Sequence, residues 1–178
     1  MTNDTPNPSV IQIPLTRGYT AIVSLQDADL ARFKWSTRIN GKYTAYAAHL
    51  RKDPTHPRGQ SLLLLHRVIL ERVLNRKLVK GEIVDHINGD GLDNRRENLR
   101  LATYNQNTLN SKIQSRNTSG YRGVSWRKCA NKWIAKIVVN GKNLYLGLFT
   151  DKHQAAVAYN KAALEHYGEF ARLNEIPE

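Results

Sequence analysis

The chain has 178 residues, enough for one ordinary domain or two small ones, and 40% of them are hydrophobic, which allows a real core. Its net charge of +12, with a pI near 10.0, makes a polyanion the expected partner: nucleic acid first, an anionic membrane surface second. A single cysteine, Cys129, excludes an internal disulfide and a Cys-rich zinc finger, and the apolar run at residues 62–65 is far short of the roughly 20 residues of a membrane span, so a soluble intracellular protein is expected.

Residues 1–9 are polar and Pro-rich and read as a loose lead-in. "VIQIPL" has strand character, "DADLARFKW" that of a short helix with an acidic start, and "KYTAYAAHL" that of a strand, so residues 1–60 form a mixed segment supporting whatever follows. "DPTHPRG" is a loop by its prolines and glycine. "SLLLLHRVILERVLNRKLV" has helical length and spacing, with Ser61 as its natural N-cap. "GEIVDHINGDGLDN" predicts a short apolar strand running into a hairpin turn at Asn88-Gly89. From Glu97 to Lys112 the pattern predicts a short strand or turn followed by a polar helix.

Apolar periodicity stops at residues 111–120, "SKIQSRNTSG", and a linker is placed at 113–120 between modules at 61–112 and 121–174. Beyond it come three strand-like runs, the last two joined through Asn140-Gly141. An Ala-rich helix follows, from Asp151 and Gln154 in capping-box spacing to Gly168. Trp133, Ala135, Ile137 and Val139, with Leu144, Leu146 and Leu148, are expected to face that helix. Lys136, Asn143 and Tyr145 are left on the other side, where Arg122, Arg127 and Lys132 extend the positive charge.

The chemistry concentrates in "IVDHINGDGLDNRRENLRLATYNQNTLN". Cutting a phosphodiester needs a base for the attacking water and a countercharge for the phosphate and the departing sugar oxygen. His86 suits the first task, because an imidazole takes a proton near neutral pH. Asp85, pointing to the other side of an extended strand, can hold a hard cation. Neighbouring amides can orient the imidazole or complete a metal site without competing for the proton. Arg95, Arg96 and Arg100 in "NRRENLR" are candidates for phosphate contacts. His66 lies within the apolar segment and reads as a core or supporting histidine.

These residues resemble the HNH endonucleases, and within them the phage and intron-encoded homing branch. "VDH", "ENL", "YNQN" and the preceding "LHR" carry the resemblance, over about residues 61–112. It implies a ββα-metal module in which Asp85 and Asn107, with Asn105 and Asn110 as alternatives to Asn107, hold one divalent ion, His86 is the base and Asn98 fixes that base. The third family position is asparagine here rather than histidine, and an all-oxygen site favours Mg²⁺ or Mn²⁺ over Zn²⁺. "YRGVSW", "KWIAKI", "YLGLF" and "AAVAYNKAA…YGEFARLN" resemble the Apetala/ethylene-response-factor DNA-binding domain over roughly residues 119–174. That resemblance implies a three-stranded sheet in the DNA major groove, with contacts from Arg122, Ser125, Arg127, Lys132, Lys136, Val138, Asn143 and Tyr145. Ser125, Val138 and Asn143 stand where the plant members usually have arginine, so the plant recognition sequence is not expected.

The sequence reading is therefore an α+β chain: an HNH nuclease core followed by a small antiparallel sheet packed on one helix. Its expected activity is metal-dependent nicking of double-stranded DNA by a homing enzyme, phage-encoded and cytoplasmic in a bacterial host, with no membrane partner. The competing reading is a non-catalytic DNA-binding regulator on an HNH scaffold. Intact Asp85, His86 and Asn98 argue against it.

Overall fold

The structure is a computed structural model that describes residues 10–40, 44–110, 113 and 116–177. The expected lead-in at 1–9 and residues 111–112 and 114–115 of the expected break lie outside the described residues. The chain divides into two compact units, Met1–Tyr104 and Asn105–Glu178. Both are α+β, with small and mostly antiparallel sheets and few helices. No helix among the described residues is long and apolar enough to cross a membrane.

In the first unit, β1 (Val10–Pro14) pairs antiparallel with β2 (Thr20–Ser24). The acidic-start segment forms 3-10 turns at Leu25–Arg32. β3 (Ser36–Asn40), β4 (Thr44–Lys52) and β5 (Gln60–Leu64) make a second antiparallel sheet. Here the structure corrects the sequence reading: residues 60–64 are a strand, and helix α1 begins only at Leu65 and runs to Leu74. Ser61 is therefore not an N-cap. The residue at the cap position is Leu64, which makes no side-chain cap bond. A run of four leucines satisfies a strand as well as a helix, and pairing with β4, Leu62 against Leu50 and Leu64 against Ala48, decides for the strand. The helix ends at Asn75, whose left-handed backbone (φ 51°) is one that asparagine tolerates.

β6 (Ile83–His86) pairs antiparallel with β8 (Leu99–Ala102), and helix α2 (Tyr104–Leu109) follows directly in sequence. Asn88-Gly89 does make a turn, with Gly89 at φ 75°, but it does not close a two-residue hairpin. Residues 87–98 form one long connection, and its middle, β7 (Asp93–Asn94), pairs parallel with β2. The N-terminal residues thus hold the connection in place. The unit's core is Ile13, Ala21, Val23, Leu30, Trp35, Leu65, Ile69 and their neighbours, and Val84 and Leu99 tie the β6/β8 pair to it.

In the second unit, β9 (Val124–Arg127), β10 (Lys132–Val139) and β11 (Lys142–Phe149) form an antiparallel sheet in the order β11-β10-β9, packed on α3 (Lys152–Tyr167). Asn140 (φ 50°) and Gly141 (φ 76°) both adopt the positive φ that a two-residue hairpin turn needs. Asp151 caps α3 by accepting from the His153 amide at 2.9 Å. A bulge between Ala135 and Lys136 shifts the register, so Leu148 lies opposite Ile134 while Leu144 lies opposite Ile137. The expectation that Leu144, Leu146 and Leu148 share the helix side fails at Leu148 for that reason. Residues 117–120 are no loose linker: the Asn117 side-chain oxygen accepts from the Ser119 amide, the Ser119 hydroxyl and the Gly120 amide, and Ser119 is buried.

Candidate active site

Asp85 and His86 end β6 and are both buried, 3% and 5% exposed. In the antiparallel register Asp85 lies opposite Arg100 on β8, so their side chains stand together. Arg100 donates to Asp85 Oδ2 from Nε at 2.8 Å and from Nη2 at 2.7 Å. The paired guanidinium is the hydrogen-bonded countercharge that a buried carboxylate needs.

His86 Nε2 lies 3.3 Å from Asn94 Oδ1. Asn94 is fully buried, and its amide nitrogen donates to Leu92 O at 3.0 Å, which turns its oxygen toward the ring. The oxygen can only accept, so Nε2 carries the proton and the basic lone pair is on Nδ1. The amide that meets the His86 ring is therefore Asn94, not Asn98. Asn98 instead ties the connection to itself: its oxygen accepts from the Asn88 amide at 3.0 Å, and its nitrogen donates to Asn88 Oδ1 at 3.0 Å and to Asp93 O at 2.7 Å. Asn98 sets the shape of the loop, and the loop presents Asn94.

The three arginines expected at phosphate all have carboxylate partners inside the unit. Arg95 grips Asp93 with two bonds of 2.8 and 2.7 Å, and Arg96 grips the fully buried Asp27 at 2.7 and 3.0 Å. Arg72 reaches the same Asp27 at 3.2 Å. With Arg100 on Asp85, these side chains build the frame around the site.

Two aromatic neighbours complete it. The His66 ring, at the start of α1, meets the His86 ring edge-on with centroids 5.1 Å apart, and Tyr46 from β4 lies 5.1 Å from His66 and 5.9 Å from His86. Gly91 lets the connection close on this strand: a Cβ there would sit 2.5 Å from Ala45 O and 2.6 Å from the Tyr46 ring. Burial lowers the His86 pKa below its ordinary 6.5, and the Asn94 bond with the carboxylates of Asp85, Asp90 and Asp93 opposes it. The pKa of Tyr46 is raised by burial and then by the Asp85 charge, which keeps its hydroxyl protonated. Tyr46 and Asn94 were missed by sequence reasoning. Asn94 is one asparagine among many in "GLDNRREN", and Tyr46 gives no signal in a segment far upstream.

Asn107 stands in the second turn of α2 and is half-buried. Among the described residues no three His, Cys, Asp or Glu side chains cluster as a metal-binding group. The Asp85 carboxylate is a hard oxygen donor, and it suits a cation such as Mg²⁺ that keeps several waters and takes phosphate oxygens from its substrate.

In the second unit, the pairings Arg127–Lys132, Ser125–Ile134, Lys136–Tyr145 and Val138–Asn143 put Ser125, Arg127, Lys132, Lys136, Val138, Asn143 and Tyr145 on the sheet face away from α3. Tyr145 and Val138 are about half exposed there. Arg122 is not on this face. It lines a pocket with Tyr121, Arg172, Asn174 and Glu175, where burial and the charge of Arg172 lower its pKa.

A family model described as HNH endonuclease matches residues 63–109. The chain is 35% identical over 160 residues to an uncharacterized HNH endonuclease of Acanthamoeba polyphaga mimivirus, covering 90% of this chain and 77% of that one. It is 34% identical over 99 residues to Protein 3.8 of Escherichia phage T7, covering 56% of this chain and 81% of that one. Over 60 residues it is 47% identical to dehydration-responsive element-binding protein 2C of Arabidopsis thaliana, a match to 33% of this chain but only 17% of the plant protein.

Proposed function

We propose that this chain, which belongs to the HNH endonuclease family, is a metal-dependent, site-directed DNA endonuclease of the homing type that nicks one strand, and that a phage or other virus encodes it. The observation that carries this reading is the buried Asp85-His86 pair, with the base held in one tautomer by Asn94. β6, β8 and α2 are taken as the ββα-metal unit.

In this mechanism His86 Nδ1 removes a proton from the attacking water. Asn94 holds the Nε2–H throughout, so the ring neither turns nor changes tautomer as it becomes an imidazolium. The carboxylates of Asp85, Asp90 and Asp93 favour the positive charge that forms. Asp85 and Asn107 would hold one Mg²⁺ or Mn²⁺, which supplies positive charge for the phosphate and the departing sugar oxygen. Arg100 holds the Asp85 carboxylate in place.

The second unit is proposed to be an Apetala-like DNA-binding module whose outer face enters the major groove. Support comes from the match to the plant dehydration-responsive element-binding protein and from the basic residues gathered on one exposed face. Incubation with supercoiled plasmid tests the whole reading. Wild type with Mg²⁺ or Mn²⁺ is expected to give open circles, with no cutting in EDTA. His86→Ala and Asp85→Ala are expected to lose at least about 10³-fold in rate while DNA affinity stays within a few-fold. Equal cutting by either variant would refute the assignment of the pair.

A further inference from the structure

His66 is the one histidine of this site that the mechanism leaves idle, and its surroundings give it a role. Its ring is enclosed against His86 and Tyr46, at 8% exposure, yet Nδ1 is a buried atom with no hydrogen-bond partner. Such an orphan costs stability that a leucine or phenylalanine at this position would not cost. A buried lone pair is less costly than a buried, unmatched N–H, so the proton belongs on Nε2. That nitrogen has no protein partner either and is not enclosed, so it opens toward solvent beside the base.

We propose that His66 donates its Nε2–H to a non-bridging oxygen of the scissile phosphate, as a second imidazole of the active site. This rests on the endonuclease reading above. Attack on a phosphodiester gathers negative charge on those oxygens, and a fixed donor within ring contact of the base is placed to meet it. The neighbouring cations Arg95, Arg96 and Arg100 are each bound to a carboxylate, so a donor with no other bond has a distinct use. Burial, with the adjacent His86 and Arg67, pushes the His66 pKa down to about 3. The ring therefore stays neutral, donates one hydrogen bond and adds no charge that would weaken the base.

The experiment uses full-length protein and a duplex carrying a stereodefined phosphorothioate, each diastereomer in turn, at a mapped cleavage position, with Mg²⁺ and with Mn²⁺. On all-oxygen DNA, His66→Phe is expected to lower kcat about 10- to 100-fold with KM changed by no more than about two-fold. Sulfur at the contacted oxygen should slow the wild type but slow His66→Phe no further, because the bond it weakens is already gone. His66→Gln, whose amide nitrogen falls near Nε2, should recover part of the rate; His66→Asn, whose amide falls near Nδ1, should not. His66→Phe should melt no lower than wild type near neutral pH, since it removes the orphan. Near wild-type cutting by His66→Phe, or penalties that multiply for both diastereomers, would overturn the proposal. If His66→Phe did not fold, equal rates for His66→Gln and His66→Asn would overturn it instead. A wild type that cuts nothing with either metal would remove the endonuclease reading and this proposal together, an outcome distinct from a cutting wild type indifferent to residue 66.

Discussion

The two units carry the same net charge, +6 each, from 16 Lys and Arg against 10 Asp and Glu in Met1–Tyr104 and 11 against 5 in Asn105–Glu178. They use it in opposite ways. In the first, arginines turn inward onto Asp27, Asp85 and Asp93 and hold the 87–98 connection in shape. In the second, Arg127, Lys132 and Lys136 stand on the outer face of a sheet whose other side is filled by alanines of α3. Net charge announces a polyanion partner, but it does not say which cations meet that partner. The count of carboxylates within reach does.

The contrast can be broken most sharply at Asp27, which is fully buried between Arg72 and Arg96. Asp27→Ala leaves two guanidinium groups facing each other and should cost about 3 to 5 kcal/mol in urea or thermal unfolding. Lys136→Ala should leave the same melting curve unchanged. Equal effects would mean that the inward pairs do not support the fold.

A smaller effect separates the two asparagines. Asn94→Ala should slow cleavage about 10- to 100-fold at saturating metal, because the base loses the acceptor that fixes its tautomer. Asn98→Ala should act mainly on stability, since its three bonds bind the connection to itself. A metal-saturated rate and a melting curve for each variant would show whether these roles are reversed.

The smallest effect is in acid. His66 is neutral in the folded state with its pKa lowered to about 3, whereas the unfolded chain binds that proton near 6.5. The folded state therefore loses nothing above pH 6.5 and loses stability progressively as pH falls toward 3. At pH 5.5 the loss should be about 1 kcal/mol, and His66→Phe should abolish it. Parallel acid dependence in both proteins would place the titration elsewhere.

The sequence made some of this legible and not the rest. The β6 strand, the Asp85-His86 pair, the Asn140-Gly141 turn and the Asp151 cap are local features, set by residues adjacent in the chain. The division of 60–74 into strand and helix is not local, because it depends on β4 pairing with an apolar run that has no period of its own. The choice of Asn94 over Asn98 depends on β7 joining β2, a parallel contact across some seventy residues that places Asn94 opposite Val23. Tyr46 enters through tertiary packing alone, and Gly91 marks the place only once the strand it meets is known. The bulge that moves Leu148 to the other face is set by the Ala135/Lys136 register, which alternation along one strand cannot reveal. The inward turn of the arginines needs the positions of three aspartates, of which only Asp93 is a sequence neighbour of its partner.

The most direct measurement is binding and single-turnover cleavage of one duplex, followed in the same samples, for wild type, His86→Ala and Lys136→Ala. The division of labour predicts that His86→Ala binds within a few-fold of wild type and does not cut. Lys136→Ala should cut at the wild-type rate once saturated but bind more weakly by about 1 to 3 kcal/mol, with a shallower dependence on salt. Loss of cutting at saturation in Lys136→Ala, or wild-type cutting by His86→Ala, would contradict it.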